Sequence, residues 1–163
     1  MRRSLLPACT LILFAFFAEP ASAQVQTATA HGAGTIPGVS FDTVLASFNA
    51  GGQGVSFHFD FRGSGMGPGI PVSGSFTVID RETGVTLDFS GAGVVFPASH
   101  ELQVTGMCDV TTPGGGTLPG ACSLFALDRT SNGATDVIVI TGSAVNGTLT
   151  AGLEPSNGNI NIN

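Results

Sequence analysis

Apolar and polar side chains alternate most clearly in residues 55–62, which read Val-Ser-Phe-His-Phe-Asp-Phe-Arg. Successive side chains of a β-strand point to opposite faces, so Phe57, Phe59 and Phe61 share one face and the polar residues share the other. Burying a Phe side chain is worth about 1.5–3 kcal/mol. We therefore predict an amphipathic strand whose aromatic face belongs to the core.

Similar short patterns recur along the chain, whereas helical periodicity is not sustained for three turns anywhere. They predict further strands over residues 28–36, 44–49, 72–79, 85–89, 102–110, 121–128, 136–141, 147–153 and 159–163, with a short apolar piece at 94–96. Turn-forming residues separate them, including a Gly-rich loop at 63–69, a hairpin turn at 80–84 and a Pro- and Gly-containing connection at 111–120. Roughly eight to ten short strands at regular spacing are typical of a single all-β domain, an antiparallel β-sandwich or flattened barrel.

The amino-terminal segment has the composition of a cleavable secretory signal. Arg2 and Arg3 precede an apolar run over residues 11–18, and Ala-Ser-Ala follows at 21–23. The run is too brief to span a bilayer, and the small residues suit signal peptidase. We predict a signal peptide over residues 1–23.

Two other export routes are compatible with parts of this segment. A lipoprotein box ends at Cys9, but the apolar run follows that cysteine instead of preceding it, and the paired arginines resemble a twin-arginine signal with a very apolar core. General secretion fits better. Residues 24–163 then form one domain of 140 residues, which we expect to be secreted or periplasmic.

Charge excludes several classes of partner. Signal cleavage leaves three arginines and no lysine against ten acidic residues, for a formal charge of −7. Binding to nucleic acids or to anionic membrane surfaces requires clustered cations, so neither is expected.

Outer-membrane barrels also have alternating strands, but they need aromatic girdles, and Trp and Tyr are absent here. We expect no membrane insertion of the mature chain.

Two cysteines, Cys108 and Cys122, remain after signal cleavage. An even pair in an exported chain indicates a disulfide, and the two residues lie on strands that flank the connection at 111–120. A redox site would prefer Cys-x-x-Cys spacing, and zinc would need further ligands at metal-binding spacing. We predict a structural disulfide.

The polar face of the strand at 55–62 is a candidate ligand-binding surface. His58 and Asp60 are two residues apart and point the same way, with Arg62 beside them. Such a row could orient a histidine for proton transfer or hold a polar ligand; otherwise it is the solvated face of an amphipathic strand. His31 and His100 lie in other segments, with no acidic residue at a diagnostic spacing.

An oxygen-rich segment at 128–136 is a candidate calcium site. Asp128, Asn132 and Asp136 carry carboxylate and amide oxygens of the kind that Ca²⁺ prefers. The spacing is not that of an EF-hand loop, and the same residue types are ordinary in turns. No other cofactor is expected.

Motifs of several enzyme classes are missing. There is no Gly-x-Ser-x-Gly, no Gly-x-Gly-x-x-Gly and no His-Glu-x-x-His, and the lack of lysine excludes a P-loop and a Schiff base. Because distant residues can converge on folding, an enzyme is not excluded.

We expect a non-catalytic exported domain that binds or organises material at the cell surface or matrix. The alternative is a small barrel enzyme or ligand carrier that uses the polar face around His58.

The order of several short motifs resembles the post-COAP domain family of small secreted bacterial proteins. The resemblance covers most of residues 32–163. It rests on the segments 32–36, 48–50, 72–80 with 83–84, 128–140, 147–149 and 158–162. It implies a secreted, single, antiparallel β domain without assigned catalytic residues.

Overall fold

The computed structural model describes residues 24–42, 47–130, 134–142, 147–153 and 158–163, so the predicted signal peptide and Asn132 lie outside the described residues. These segments contain eleven β-strands and a 3₁₀ turn at Pro97–Ser99. The strands are β1 (Gln26–Ile36), β2 (Val39–Asp42), β3 (Ser47–Ala50), β4 (Val55–Gly65), β5 (Ile70–Asp80), β6 (Thr86–Phe96), β7 (Glu101–Thr111), β8 (Thr117–Leu127), β9 (Asp136–Gly142), β10 (Gly147–Leu153) and β11 (Gly158–Ile162).

Nine of these strands form one antiparallel sheet in the order β10-β9-β8-β7-β6-β5-β4-β1-β11, and β2 pairs with β3 as a separate hairpin. The sheet curls until it is nearly closed into a barrel, with β1 approaching β10 and β11 approaching β8 across the remaining gap. The prediction of a single antiparallel all-β fold is confirmed, in its barrel form.

The core lies inside the barrel and follows the alternation of the sequence. Phe57, Phe59 and Phe61 are all buried on β4, as predicted. Phe76 and Phe89, on β5 and β6, stack with ring centroids 5.0 Å apart. Buried Val, Leu and Ile side chains from β1, β7, β8, β9 and β11 are part of the same core. The described core is therefore apolar, and its largest fully buried side chains include Phe59, Phe61 and Phe76.

Several strands are longer than their sequence patterns predict, because the strands continue through glycine residues. The pieces at 85–89 and 94–96 belong to one strand, β6. A Cβ atom at Gly91 would lie 2.7 Å from the Phe89 ring, and one at Gly106, on β7, would lie 2.6 Å from it. The ring therefore needs glycine at both positions, and the glycines serve packing within the sheet.

The turn between β5 and β6 is the predicted hairpin connection. The Asp80 carboxylate accepts hydrogen bonds from the backbone N–H groups of Glu82 and Thr83, at 2.8 and 3.1 Å. Gly84 has φ of +72°, the left-handed conformation that glycine adopts most readily. Asp80 itself is buried, which anchors the turn to the end of the barrel.

Candidate functional site

His58, Asp60 and Arg62 lie on the outer face of β4, where the alternation predicted them. The Arg62 guanidinium donates two hydrogen bonds to the Asp60 carboxylate, from Nε at 3.1 Å and from Nη2 at 2.9 Å. The Arg62 side chain is 75% exposed and the Asp60 side chain is 43% exposed. This bidentate ion pair fixes the orientation of the Asp60 carboxylate, but solvent screens most of the attraction between the two charges.

The pairing of β1 with β4 places a further residue, His31, beside the polar side chains of β4, although it is distant from them in the sequence. His31 on β1 is directly opposite Asp60 on β4. The hydrogen bond from Arg62 lowers the pKa of Asp60; slight burial opposes that effect, and the charges of Arg62, His31 and His58 add to it. Asp60 is thus an ionised carboxylate between cationic and imidazole groups, and its weak basicity makes it a poor proton acceptor.

His58 is exposed on the same outer face, and its neighbour across to β5 is Thr77. In the part of the chain that the structure describes, the His58 ring makes no hydrogen bond that would fix its tautomer. Thr77 instead donates its hydroxyl hydrogen bond to Asp88 on β6, at 2.7 Å. The described contacts of His58 therefore do not form an oriented acid–base pair, and ligand binding at this face stays a prediction.

Asp128 and Asp136, two of the three candidate calcium ligands, lie on either side of the segment that joins β8 to β9. Asp136 is buried, and its carboxylate accepts hydrogen bonds from the backbone N–H groups of Arg129 at 2.9 Å and Ile160 at 3.2 Å. Asp128 accepts hydrogen bonds from the backbone and hydroxyl groups of Thr130 and from the backbone N–H of Ile162. All four carboxylate oxygens are thus engaged by the protein.

These contacts give both aspartates a structural role that the sequence did not reveal. Burial alone would raise the pKa of Asp128, but the hydrogen bonds from Thr130 and Ile162, together with the nearby His100, hold it below its ordinary value. No group of three His, Cys, Asp or Glu side chains among the described residues is arranged to hold a metal ion. Because Asn132 is outside those residues, calcium binding stays a prediction.

His100 has an acidic neighbour that its sequence position did not indicate. It follows the 3₁₀ turn with a left-handed backbone conformation, φ 52° and ψ 48°. Its Nδ1 donates a hydrogen bond to the carbonyl oxygen of Ile162 at 2.9 Å, and its ring lies close enough to Asp128 to affect that carboxylate. His100 therefore contacts the carboxy-terminal strand and does not join the row on β4.

Cys108 and Cys122 form the predicted disulfide, with an S–S distance of 1.99 Å. They lie on the neighbouring strands β7 and β8, and both are buried. The connection between these strands is shorter than predicted, since β8 already begins at Thr117. The bond crosses the inner face of the barrel and is shielded from solvent, as expected for a structural disulfide.

A second polar region lies on the outer face, over β6 and β7. Asp88 and Asp109 are directly opposite each other there, and they line a cleft of about 190 Å³ together with Ser90, Met107 and Pro119. The strands' pairing is interrupted beside the cleft, between Phe89–Cys108 and Gly93–Val104. Sequence reasoning did not single out these aspartates, because they become neighbours only through the register of the sheet.

The described residues form an antiparallel sheet that is nearly closed into a barrel and has an apolar core. Comparison with protein-family models, with curated proteins and with solved structures gave no match. The resemblance to the post-COAP domain family therefore stays a prediction. In the described segments, no helix is long and apolar enough to cross a membrane.

Proposed function

We propose that this protein is an exported, non-catalytic β-barrel domain that acts through its outer surface, as a binding or structural module at the cell surface or in the matrix. One observation carries the proposal: the barrel interior is packed with Phe59, Phe61 and Phe76, which are at most 2% exposed. An enzyme or carrier of this size would be expected to place convergent polar groups in a cavity.

The ionisable side chains support the same function. Asp60 is held by Arg62, and Asp128 and Asp136 are held by backbone N–H groups. Carboxylates engaged in this way orient the neighbouring backbone and side chains, which favours a structural role. The disulfide and the signal-like first 23 residues support export. Intact-mass analysis of exported protein should give a chain that begins at Gln24.

The alternative is a ligand carrier or enzyme that uses the outer face around His58. The specific observation in its favour is the cross-strand approach of His31 to Asp60, which places two imidazoles and a carboxylate on one surface. A ligand bound there would lie across β1 and β4, on an open surface.

Activity screening of the purified mature chain distinguishes the two functions. We expect no turnover of glycoside, ester or peptide substrates, by the chain itself or by the His58→Ala variant. Thr77→Ala is a matched control, because it alters the neighbouring strand without removing an imidazole. A turnover that His58→Ala abolishes and Thr77→Ala retains, with both variants equally stable, would refute the non-catalytic function.

A further inference from the structure

The carboxy-terminal strand β11 is held in different ways along its two edges. On one edge it pairs with β1, from Ala30 opposite Ile162 to Gly34 opposite Gly158. Thr29 and Asn163 continue this ladder by exchanging both backbone hydrogen bonds, at 2.8 and 2.9 Å. This edge is an ordinary antiparallel pairing.

The other edge of β11 has side chains where a neighbouring strand would be. Asp136 accepts from the N–H of Ile160, Asp128 accepts from the N–H of Ile162, and His100 donates to the carbonyl oxygen of Ile162. These three side chains come from the first residue of β9, the residue after β8 and the residue before β7. In the described sheet, β11 is the last strand and no backbone ladder follows it.

Little apolar surface holds β11 compared with the central strands. It has five residues, and its buried side chains are Ile160 and Ile162. By contrast, β1 and β4 pair over eleven residues and are both continuous with the core. Elements with few buried contacts open locally at lower free energy than the whole domain.

We infer that β11 is a strap, latched by Asp136, Asp128 and His100, that opens as a unit while the rest of the barrel stays folded. Opening has a defined consequence at Gly32 of β1. A Cβ atom there would lie 2.5 Å from the Phe59 ring and 3.2 Å from Ile160. The lack of a Cβ atom at Gly32 thus leaves room for the Phe59 ring beside Ile160, and release of the strap removes Ile160 from that side.

Amide hydrogen exchange on the full mature chain tests the strap through an alternation along β1. Because Thr29 bonds to Asn163, alternate N–H groups of β1 face β11 and the intervening ones face β4. We expect faster exchange at Thr29, His31 and Ala33, matching the rates of the β11 amides. We expect slower exchange, by about tenfold or more, at Ala28, Ala30 and Gly32. Equal rates in the two sets would mean that β11 opens only with the whole barrel, and would overturn the inference.

Removal of the latch provides the second arm of the test. Asp136→Ala deletes a charged hydrogen-bond acceptor, so exchange at Thr29, His31 and Ala33 should accelerate by about tenfold or more relative to the β4-facing amides. Asp128→Ala, at the less buried carboxylate, should act in the same direction and covers the case in which the first variant does not fold. Asp109→Ala removes an exposed carboxylate on β7 and should change neither set. Equal acceleration of both sets by Asp128→Ala would contradict the strap.

Discussion

The buried carboxylate of Asp136 accepts a hydrogen bond at 3.2 Å from the backbone N–H of Ile160, 24 residues further along the chain. The same carboxylate accepts a bond from the N–H of Arg129, so it ties the end of β8 to the carboxy-terminal strand. A side chain thus satisfies edge groups that a backbone ladder would otherwise serve. The last gap of the barrel is bridged by aspartate and histidine side chains.

Phe59→Ala should be among the most destabilising single changes in this chain. Its side chain is fully buried, and truncating a buried aromatic residue costs about 3–5 kcal/mol of unfolding free energy. Ser56→Ala on the outer face of the same strand should be nearly neutral. Chemical denaturation of both variants measures the difference, and equal stabilities would show that the faces of β4 are assigned the wrong way round.

Gly74→Ala should destabilise the sheet by about 1–3 kcal/mol, because a Cβ atom would meet backbone. It would overlap the carbonyl oxygen of Asp60 and lie 2.7 Å from the Cα atom of Phe61, and neither can turn aside as a flexible side chain could. Gly114→Ala is the control, since nothing lies within 4 Å of its added methyl group. Thermal unfolding of the two variants should show a lower melting temperature for Gly74→Ala and an unchanged one for Gly114→Ala.

Loss of the disulfide should lower the melting temperature without abolishing the fold. The bond joins residues 14 apart, and closing a loop of this size stabilises a protein by about 3 kcal/mol in the chain-entropy model. The described apolar core draws side chains from eight strands of the main sheet, β1, β4 to β9 and β11, and does not depend on this bond. Circular dichroism of Cys108→Ala/Cys122→Ala should retain the β spectrum. Non-reducing peptide maps that find both thiols free in exported protein would contradict the bond itself.

The Asp60–Arg62 pair predicts a specific acid titration. Because the folded-state pKa of Asp60 is lowered, its contribution to stability is present above the ordinary value of 3.8 and is lost as the pH falls through the lower folded-state pKa. NMR titration of the Asp60 carboxyl carbon should give a midpoint below 3.8. Arg62→Gln should move this midpoint upward, because it removes the main cause of the shift. An unchanged midpoint in that variant would show that the hydrogen bonds do not persist in solution.

Local periodicity was sufficient to predict the faces of β4 and the hairpin that pairs the two cysteines. Each of those features depends on residues close together in the sequence. The approach of His31 to Asp60, and of Asp136 to Ile160, depends on strand order and register, which one sequence does not specify. The continuity of β6 from 86 to 96 is not evident from the sequence, because the role of Gly91 depends on its contact with the Phe89 ring.

Gly32, Phe59 and Ile160 share one fixed volume across three adjacent strands, although they are far apart in the chain. A methyl group gained at position 32 has to be matched by atoms lost at position 59 or 160. Substitution at these sites is therefore coupled: relatives that carry alanine at the first position are expected to carry a smaller side chain at one of the other two. In an alignment of such relatives, this exchange of volume would appear as covariation between strands that no local motif connects.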